Sequence, residues 1–162
     1  MPSPRLIRVY TPLSQRPPGG GVTVYNPLVT NGAGPGVDVG VVGIGGLGHF
    51  ALLFAKALGA NVTAISHSER KKEDALKLGA SNFIATHSGG DEDFKPHARS
   101  LDLIICTTND PEMPLGGYLS LLRPDGRMVI VGAPEKNLPV LSPFQLIGGN
   151  VSLGGSMIVS LP

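Results

Sequence analysis

The sequence predicts an α/β fold, a doubly wound parallel sheet forming a single domain, and three observations carry that prediction. From Val37 onward, short apolar runs alternate with stretches of helical periodicity. The links between them are short and rich in glycine, which supplies 23 of the 162 residues. Finally, Val37–Gly43, Leu101–Thr107 and Arg127–Gly132 are mostly apolar throughout, as strands buried on both faces require. Such alternation places helices on both sides of a parallel sheet.

Each element has its own signal. Residues 1–21 are rich in Pro and Gly without periodicity and read as an irregular, extended leader, which sets the domain division at 1–19 and 20–162. The run Val37–Gly43 is the first strand. Leu47–Leu58 follows as a helix with Leu47, Ala51, Ala55 and Leu58 on one face and Gly59 at its end. Asn61–Ser66 is the second strand. Ser68–Leu78 is a helix with Ala75 and Leu78 inward, a Glu73–Lys77 pair outward and Gly79 as terminator. Ser81–Thr86 is a short strand, and Pro96 limits any helix in the polar stretch 87–100. Leu101–Thr107 is a buried strand and Leu115–Leu122 a short helix. Asp125-Gly126 turns into the strand Arg127–Gly132. Ser142-Pro143 caps one more helical turn, and Val151–Ser156 is the last strand.

Bulk properties narrow the function. The chain is 41% hydrophobic and 15% charged, with a net charge of +1, and no basic stretch suits a nucleic-acid backbone. Trp is absent and aromatics make up 5%, which disfavours a base-stacking surface. The single cysteine, Cys106, excludes an internal disulfide and a multi-thiolate zinc site, and fits a reducing compartment. No apolar run reaches the roughly 18 residues that span a bilayer. Arg5, Arg8 and Arg16 faintly suggest an import signal, but five prolines within the first 18 residues oppose its amphipathic helix. The expected compartment is the cytoplasm.

Gly43-Ile44-Gly45-Gly46-Leu47-Gly48 fits G-x-G-x-x-G. The pattern alone is weak among so many glycines. Its position is what counts: it leaves the first buried strand and opens the first helix, as in a Rossmann-type dinucleotide site. There Gly43 would permit the turn, Gly45 would admit the pyrophosphate to the backbone, and Gly48 would bring helix and strand together. Gly46 and Leu47 complete the loop, whose N–H groups and helix dipole attract phosphate.

The end of the second strand bears on which dinucleotide. Sites that hold an unphosphorylated ribose place Asp or Glu there. Here the residues are Ser66 and His67, then Ser68, Arg70, Lys71 and Lys72. Hydroxyls and cations attract a 2′-phosphate, so the expected coenzyme is NADP(H), with NAD(H) the lesser alternative. Cations in a helix's first turn oppose its dipole, and a bound phosphate would account for them. If His67 is the charged partner, affinity should fall as pH rises through the imidazole range.

These residues resemble the zinc-type medium-chain alcohol dehydrogenases, and within them the NADP-dependent cinnamyl-alcohol-dehydrogenase-like group. The matching stretches are GVTVYNPL (21–28), GAGPG (32–36), VGVVGIGGLGHFALLFAKALGA (39–60), KKEDALKLGA (71–80), LDLIICT (101–107), LSLLRPDGRMVIVGAPE (119–135) and LGGS (153–156). Neighbours in that group carry Ser-Arg-Ser-x-x-Lys where this chain has residues 66–71, so His67 is a departure. The resemblance implies further coenzyme contacts: Thr23 toward the nicotinamide, Thr107 beside the ribose, Val131, Gly132 and Ala133 at the carboxamide, and Gly155 and Ser156 as a second such segment. It also implies association into a homo-oligomer through the last strand.

The same resemblance implies a catalytic zinc and a small alcohol or aldehyde substrate. Its zinc ligands have no counterpart here. The position of one ligand cysteine falls on Gly19, and the Gly-His-Glu motif and the four structural-zinc cysteines are missing. Gly48-His49-Phe50 lies inside the phosphate-loop helix, His87 and His97 lie in an acidic loop, and Cys106 lies in a buried strand. No catalytic or metal-binding residue is therefore assigned, and the expectation is a member lacking the catalytic domain and truncated at its C-terminal end. Three readings stay open: an NADP(H)-dependent alcohol or aldehyde oxidoreductase, a nucleotide-binding remnant without chemistry of its own, and a methyltransferase-like domain. The glycine spacing and the basic strand end disfavour the last.

Overall fold

The computed structural model describes residues 19–157. In chain order the strands are β1 (Asp38–Val42), β2 (Asn61–Ser66), β3 (Asn82–Ala85), β4 (Leu101–Cys106), β5 (Leu122–Ile130) and β6 (Ser152–Gly155). The helices are α1 (Gly19–Thr30), α2 (Gly46–Ala57), α3 (Lys72–Lys77), α4 (Asp91–Phe94), α5 (Leu115–Ser120) and α6 (Pro143–Ile147). The strands form one sheet in the order β3-β2-β1-β4-β5-β6, and every neighbouring pair is parallel. This is the doubly wound Rossmann-like order. The chain winds one way from β1 to β3 and then crosses back to β4. Beyond the carboxyl ends of β1 and β4 the reversal leaves a crevice, where such folds bind ligands.

The alternation of side chains along the strands divides the core into two layers. Val39, Val41, Val62, Ala64, Leu103 and Ile105 face α1 and α2, where Val24, Leu28, Ala51, Leu52 and Ala55 are fully buried. Val42, Ile65, Ile104 and Cys106 pack on the opposite face with Phe94, Met113, Tyr118 and Leu121. The predicted strands at β1, β2, β3, β4 and β6 and the predicted helices at α2 and α5 lie within one or two residues of these bounds, whereas β5 begins at Leu122, five residues before the predicted Arg127. The Glu73–Lys77 pair forms at 2.8 Å, and Gly59 and Gly79 end their helices at positive φ.

Three sequence expectations need correction. Gly19–Gly21 belongs to α1 rather than to an extended leader; the rest of that leader, residues 1–18, lies outside the described residues. The whole of α1 escaped the sequence reading because GGGVTVYNPLVT combines glycines, β-branched residues and an interior Pro27, all poor for helices. Tertiary packing overrides that propensity: Val24 and Leu28 are fully buried, and Tyr25 meets Phe54 of α2 edge to face at 5.4 Å. The single helix expected over 68–78 is a 3₁₀ turn, Glu69–Lys71, continued by the short α3. The turn at Asp125-Gly126 survives as an irregularity within β5, where pairing jumps from Leu101↔Leu122 to Leu103↔Arg127.

Arg123 ties together the ends of β1 and β4 opposite the crevice. Its Nη1 donates to Asp38 Oδ2 at 2.8 Å and lies 3.0 Å from Asp102 Oδ2. Among the described residues no helix is long and apolar enough to cross a membrane.

Candidate dinucleotide site

The bend between β1 and α2 is shaped by backbone contacts. Gly43 has φ +85°, and a Cβ there would lie 3.0 Å from Thr107 Oγ1 and 3.1 Å from the Thr108 nitrogen. A Cβ on Gly48 would stand 1.9 Å from the Gly43 carbonyl oxygen, so only glycine lets α2 approach β1 this closely. Gly45 and Gly46 differ. Both are exposed, and a Cβ on either would meet nothing within 4 Å. The loop is thus packed tight on one side and open on the other, and the first N–H groups of α2 have no intrahelical acceptors. Leu47 anchors the turn by packing against the core.

Thr107 acts on this bend from β4. Its hydroxyl proton is shared between the carbonyl oxygens of Val42, at 2.9 Å, and Gly43, at 2.8 Å. The structure therefore gives Thr107 a tie to the loop.

A cleft of about 360 Å³ opens beyond the carboxyl ends of β1 to β4, lined in part by Gly43, Ser66, His67, Thr86, His87 and Tyr118. Ser66 is buried, and its Oγ accepts the Ser68 N–H at 3.3 Å. His67 is exposed at the rim. Lys71 bridges the two halves of the site, its Nζ donating to the Ile44 carbonyl at 2.9 Å. Arg70 and Lys72 are exposed, and Glu73 and Asp74 complement the helix dipole at the start of α3. The clustered cations therefore do not need a phosphate to offset the dipole, and that part of the sequence argument falls. On the cleft floor, burial pushes the Tyr118 phenol up to about 12. Behind it, burial pushes the Cys106 thiol up to about 11.

At the other end of the crevice, β5 and β6 bring two expected segments together, with Ile130 in register with Gly155. The N–H groups of Val131 and Gly132 both donate to Cys106 O, at 2.9 and 3.2 Å. That of Ala133 donates to Asn109 Oδ1 at 2.8 Å, and that of Ser156 to Ile130 O at 3.0 Å. With these donors engaged, the 131–133 segment can offer a ligand its carbonyl oxygens. Thr23 is half-buried on α1, which packs on α2. Sequence reasoning missed Asn109, Thr86 and Tyr118. None sits in a motif, and only the fold brings them to the crevice.

Zinc finds no ligand set. Among the described residues no group of three or more His, Cys, Asp or Glu is placed to hold a metal ion. His49 is exposed on α2, and Cys106 is buried with its Sγ 3.7 Å from Met113 Sδ. In the acidic loop, Asp93 Oδ2 instead accepts from Ser88 N, Ser88 Oγ and Gly89 N at 3.0 to 3.1 Å.

Fold and crevice together define a Rossmann-type α/β domain with a glycine-lined helix start at its switch point. The family model described as zinc-binding dehydrogenase matches residues 46–162, and the chain belongs to that family. It is 46% identical over 142 residues to an NADP-dependent alcohol dehydrogenase of Mycolicibacterium smegmatis, covering 88% of this chain and 40% of that one. A cinnamyl alcohol dehydrogenase from Sorghum bicolor superimposes with a TM-score of 0.79 at 42% identity, covering 85% of this chain and 38% of that chain. A CAD from Helicobacter pylori complexed with NADP(H) gives 0.73 at 38% identity, with the same coverage. The resemblance to zinc-type medium-chain alcohol dehydrogenases is borne out, and the chain spans about 40% of the length of such relatives.

Proposed function

We propose that this chain binds NADP(H) and serves an alcohol or aldehyde oxidoreductase as its coenzyme-binding part. The observation that carries the reading is the Gly43–Gly48 bend, closed against Thr107 yet open at Gly45 and Gly46. A pyrophosphate would lie over these two glycines against the first amides of α2. Ser66, His67 and Lys71 would surround the 2′-phosphate. The carbonyl oxygens of 131–133, with Gly155, Ser156 and Thr23, would orient the nicotinamide, and Thr107 would hold the loop beside the ribose. The bound coenzyme supplies hydride chemistry. This chain's residues bind and orient it. NADP use by relatives and the basic Lys71 support the phosphorylated form over NAD(H).

A second reading is supported by the lack of a metal-ligand set among the described residues: a nucleotide-binding module without turnover of its own. Zinc would normally polarise the carbonyl in such a reaction, and no described residue replaces it. The test is a fluorescence titration of the purified chain with NADPH and NADH, followed by zinc analysis and an aldehyde-reduction assay. Saturable binding with tighter NADPH affinity is expected, and turnover only where zinc ligands are supplied from elsewhere. Failure to bind either dinucleotide overturns the proposal, and zinc-independent turnover overturns the second reading. The cytoplasm is the proposed location. Pairing through β6 is proposed for assembly, and a clean monomer on size exclusion would refute it.

A further inference from the structure

The three residues that follow β4 reach both ends of the crevice. Thr107 Oγ1 donates to the Gly43 carbonyl oxygen inside the glycine bend. Thr108 lies between two glycines. Its nitrogen is 3.1 Å from where a Cβ on Gly43 would stand, and its carbonyl oxygen is 2.2 Å from where one on Gly132 would stand. Asn109 Oδ1 then accepts the Ala133 N–H at 2.8 Å. A Cβ on Gly132 would come within 2.9 Å of that same oxygen, so glycine is what lets the two segments close on each other. The turn beyond is held locally: Thr108 Oγ1 accepts the Asp110 N–H at 3.2 Å, and Asp110 Oδ1 accepts the Glu112 N–H at 2.9 Å.

A trans peptide is planar, so the Ala133 N–H and the Gly132 carbonyl point in opposite directions within one rigid unit. Holding the N–H on Asn109 therefore fixes the direction of the Gly132 carbonyl. The Gly132 N–H, bonded to Cys106 O at 3.2 Å, fixes the Val131 carbonyl in the same way. That second constraint is backbone on backbone and asks nothing of the sequence. The first depends on one side chain, and the glycine beside it gives the peptide freedom to turn once that side chain is removed. Resting on the coenzyme reading above, we propose that Asn109 is the positioning residue of the nicotinamide end. It holds the 132–133 peptide so that the Gly132 carbonyl stays turned toward the carboxamide, and it acts through the backbone without touching the coenzyme. The work along 107–109 is divided: Thr107 serves the pyrophosphate bend, and Asn109 serves the nicotinamide segment.

The test uses the full chain and two ligands with the same phosphate groups: NADPH, and 2′-phospho-ADP-ribose, which lacks the nicotinamide. The readout is the ratio of their dissociation constants. Asn109→Ala should weaken NADPH about fivefold, the loss of one hydrogen bond, and leave 2′-phospho-ADP-ribose within about twofold. Asn109→Asp keeps an oxygen acceptor at the same reach. Its added charge acts on both ligands alike, so the ratio should return to within about twofold of its starting value. Thr107→Val removes the tie to the bend and should weaken both ligands by a common factor. A common loss in Asn109→Ala, an unchanged ratio, or failure of Asn109→Asp to restore it overturns the proposal while leaving coenzyme binding intact. A ratio shifted by Thr107→Val overturns it as well, because the work is then not divided. So does equal affinity of the unaltered chain for the two ligands, since the nicotinamide would then make no contact. Absence of binding to either ligand overturns the parent reading, and this inference with it.

Discussion

The two halves of the candidate site are specified by different physics. At the Gly43–Gly48 bend, close steric fit fixes the backbone: a Cβ on Gly48 would collide with the Gly43 carbonyl, and Thr107 ties down the loop. At the end of β2, His67 is exposed and Lys71 is partly buried with its Nζ on the Ile44 carbonyl, and on the proposed reading these two would meet a 2′-phosphate by charge. The bend depends on shape and tolerates almost no added atom on its inner side. The strand end, on the proposed reading, depends on charge. On the proposed coenzyme reading, substitutions at the second region would change preference without disturbing the first.

The largest effect separates the inner and outer glycines of the bend. Gly48→Ala puts a methyl 1.9 Å from a carbonyl oxygen, and overpacking of that kind costs about 3 kcal/mol or more. Chemical denaturation should show the loss. Gly45→Ala adds its methyl to open space, so stability should move by less than about 1 kcal/mol. Dinucleotide affinity should nevertheless fall at least about tenfold, because the methyl occupies the proposed pyrophosphate position. Equal stability losses in the two variants would erase the distinction between a packed and an open side.

The same contrast explains what could be read from the sequence. Strands β1 and β4 were readable because burial on both faces demands a continuous apolar run, and VDVGVVG and LDLIICT meet that demand. The bend was readable because its steric rule needs glycine at fixed spacing. Helix α1 was not, because its stability comes from Val24 and Leu28 packed against α2 rather than from its own propensity. Nor were Asn109 capping Ala133 or Lys71 reaching Ile44, contacts made across 24 and 27 residues. Charge at the strand end was visible as composition, but the pairing of Glu69 with His87 required the fold.

Titration separates the cleft floor from its rim. Tyr118 and Cys106 are pushed up to about 12 and about 11, from ordinary values of 10.0 and 9.0, chiefly by burial. Each neutral form is favoured in the folded state, so each contribution is fully present below its ordinary value. It is lost as pH rises toward the folded value, because the unfolded chain releases its proton first. Stability should be insensitive to these two groups below about pH 9. Above it, stability should decline by up to about 1.4 kcal/mol per pH unit for each group in its window. Denaturation midpoints between pH 8 and 11 measure the slope, and Cys106→Ala should flatten its first part. A slope unchanged by that variant would show that the thiol is not the responsible group.

The smallest expected effect tests the link between the regions. Lys71 lies beyond β2 in sequence, yet its Nζ sits on the Ile44 carbonyl inside the bend. If its charge serves the 2′-phosphate, Lys71→Gln should weaken NADPH about fivefold and leave NADH within about twofold, as expected for loss of one partly exposed charge contact. If it serves the bend itself, both dinucleotides should weaken together, because the pyrophosphate is common to them. Parallel titrations of the two coenzymes decide between these outcomes. Equal weakening would move Lys71 from the charge-specified half to the shape-specified half, leaving His67 and Ser66 as the proposed partners of a 2′-phosphate.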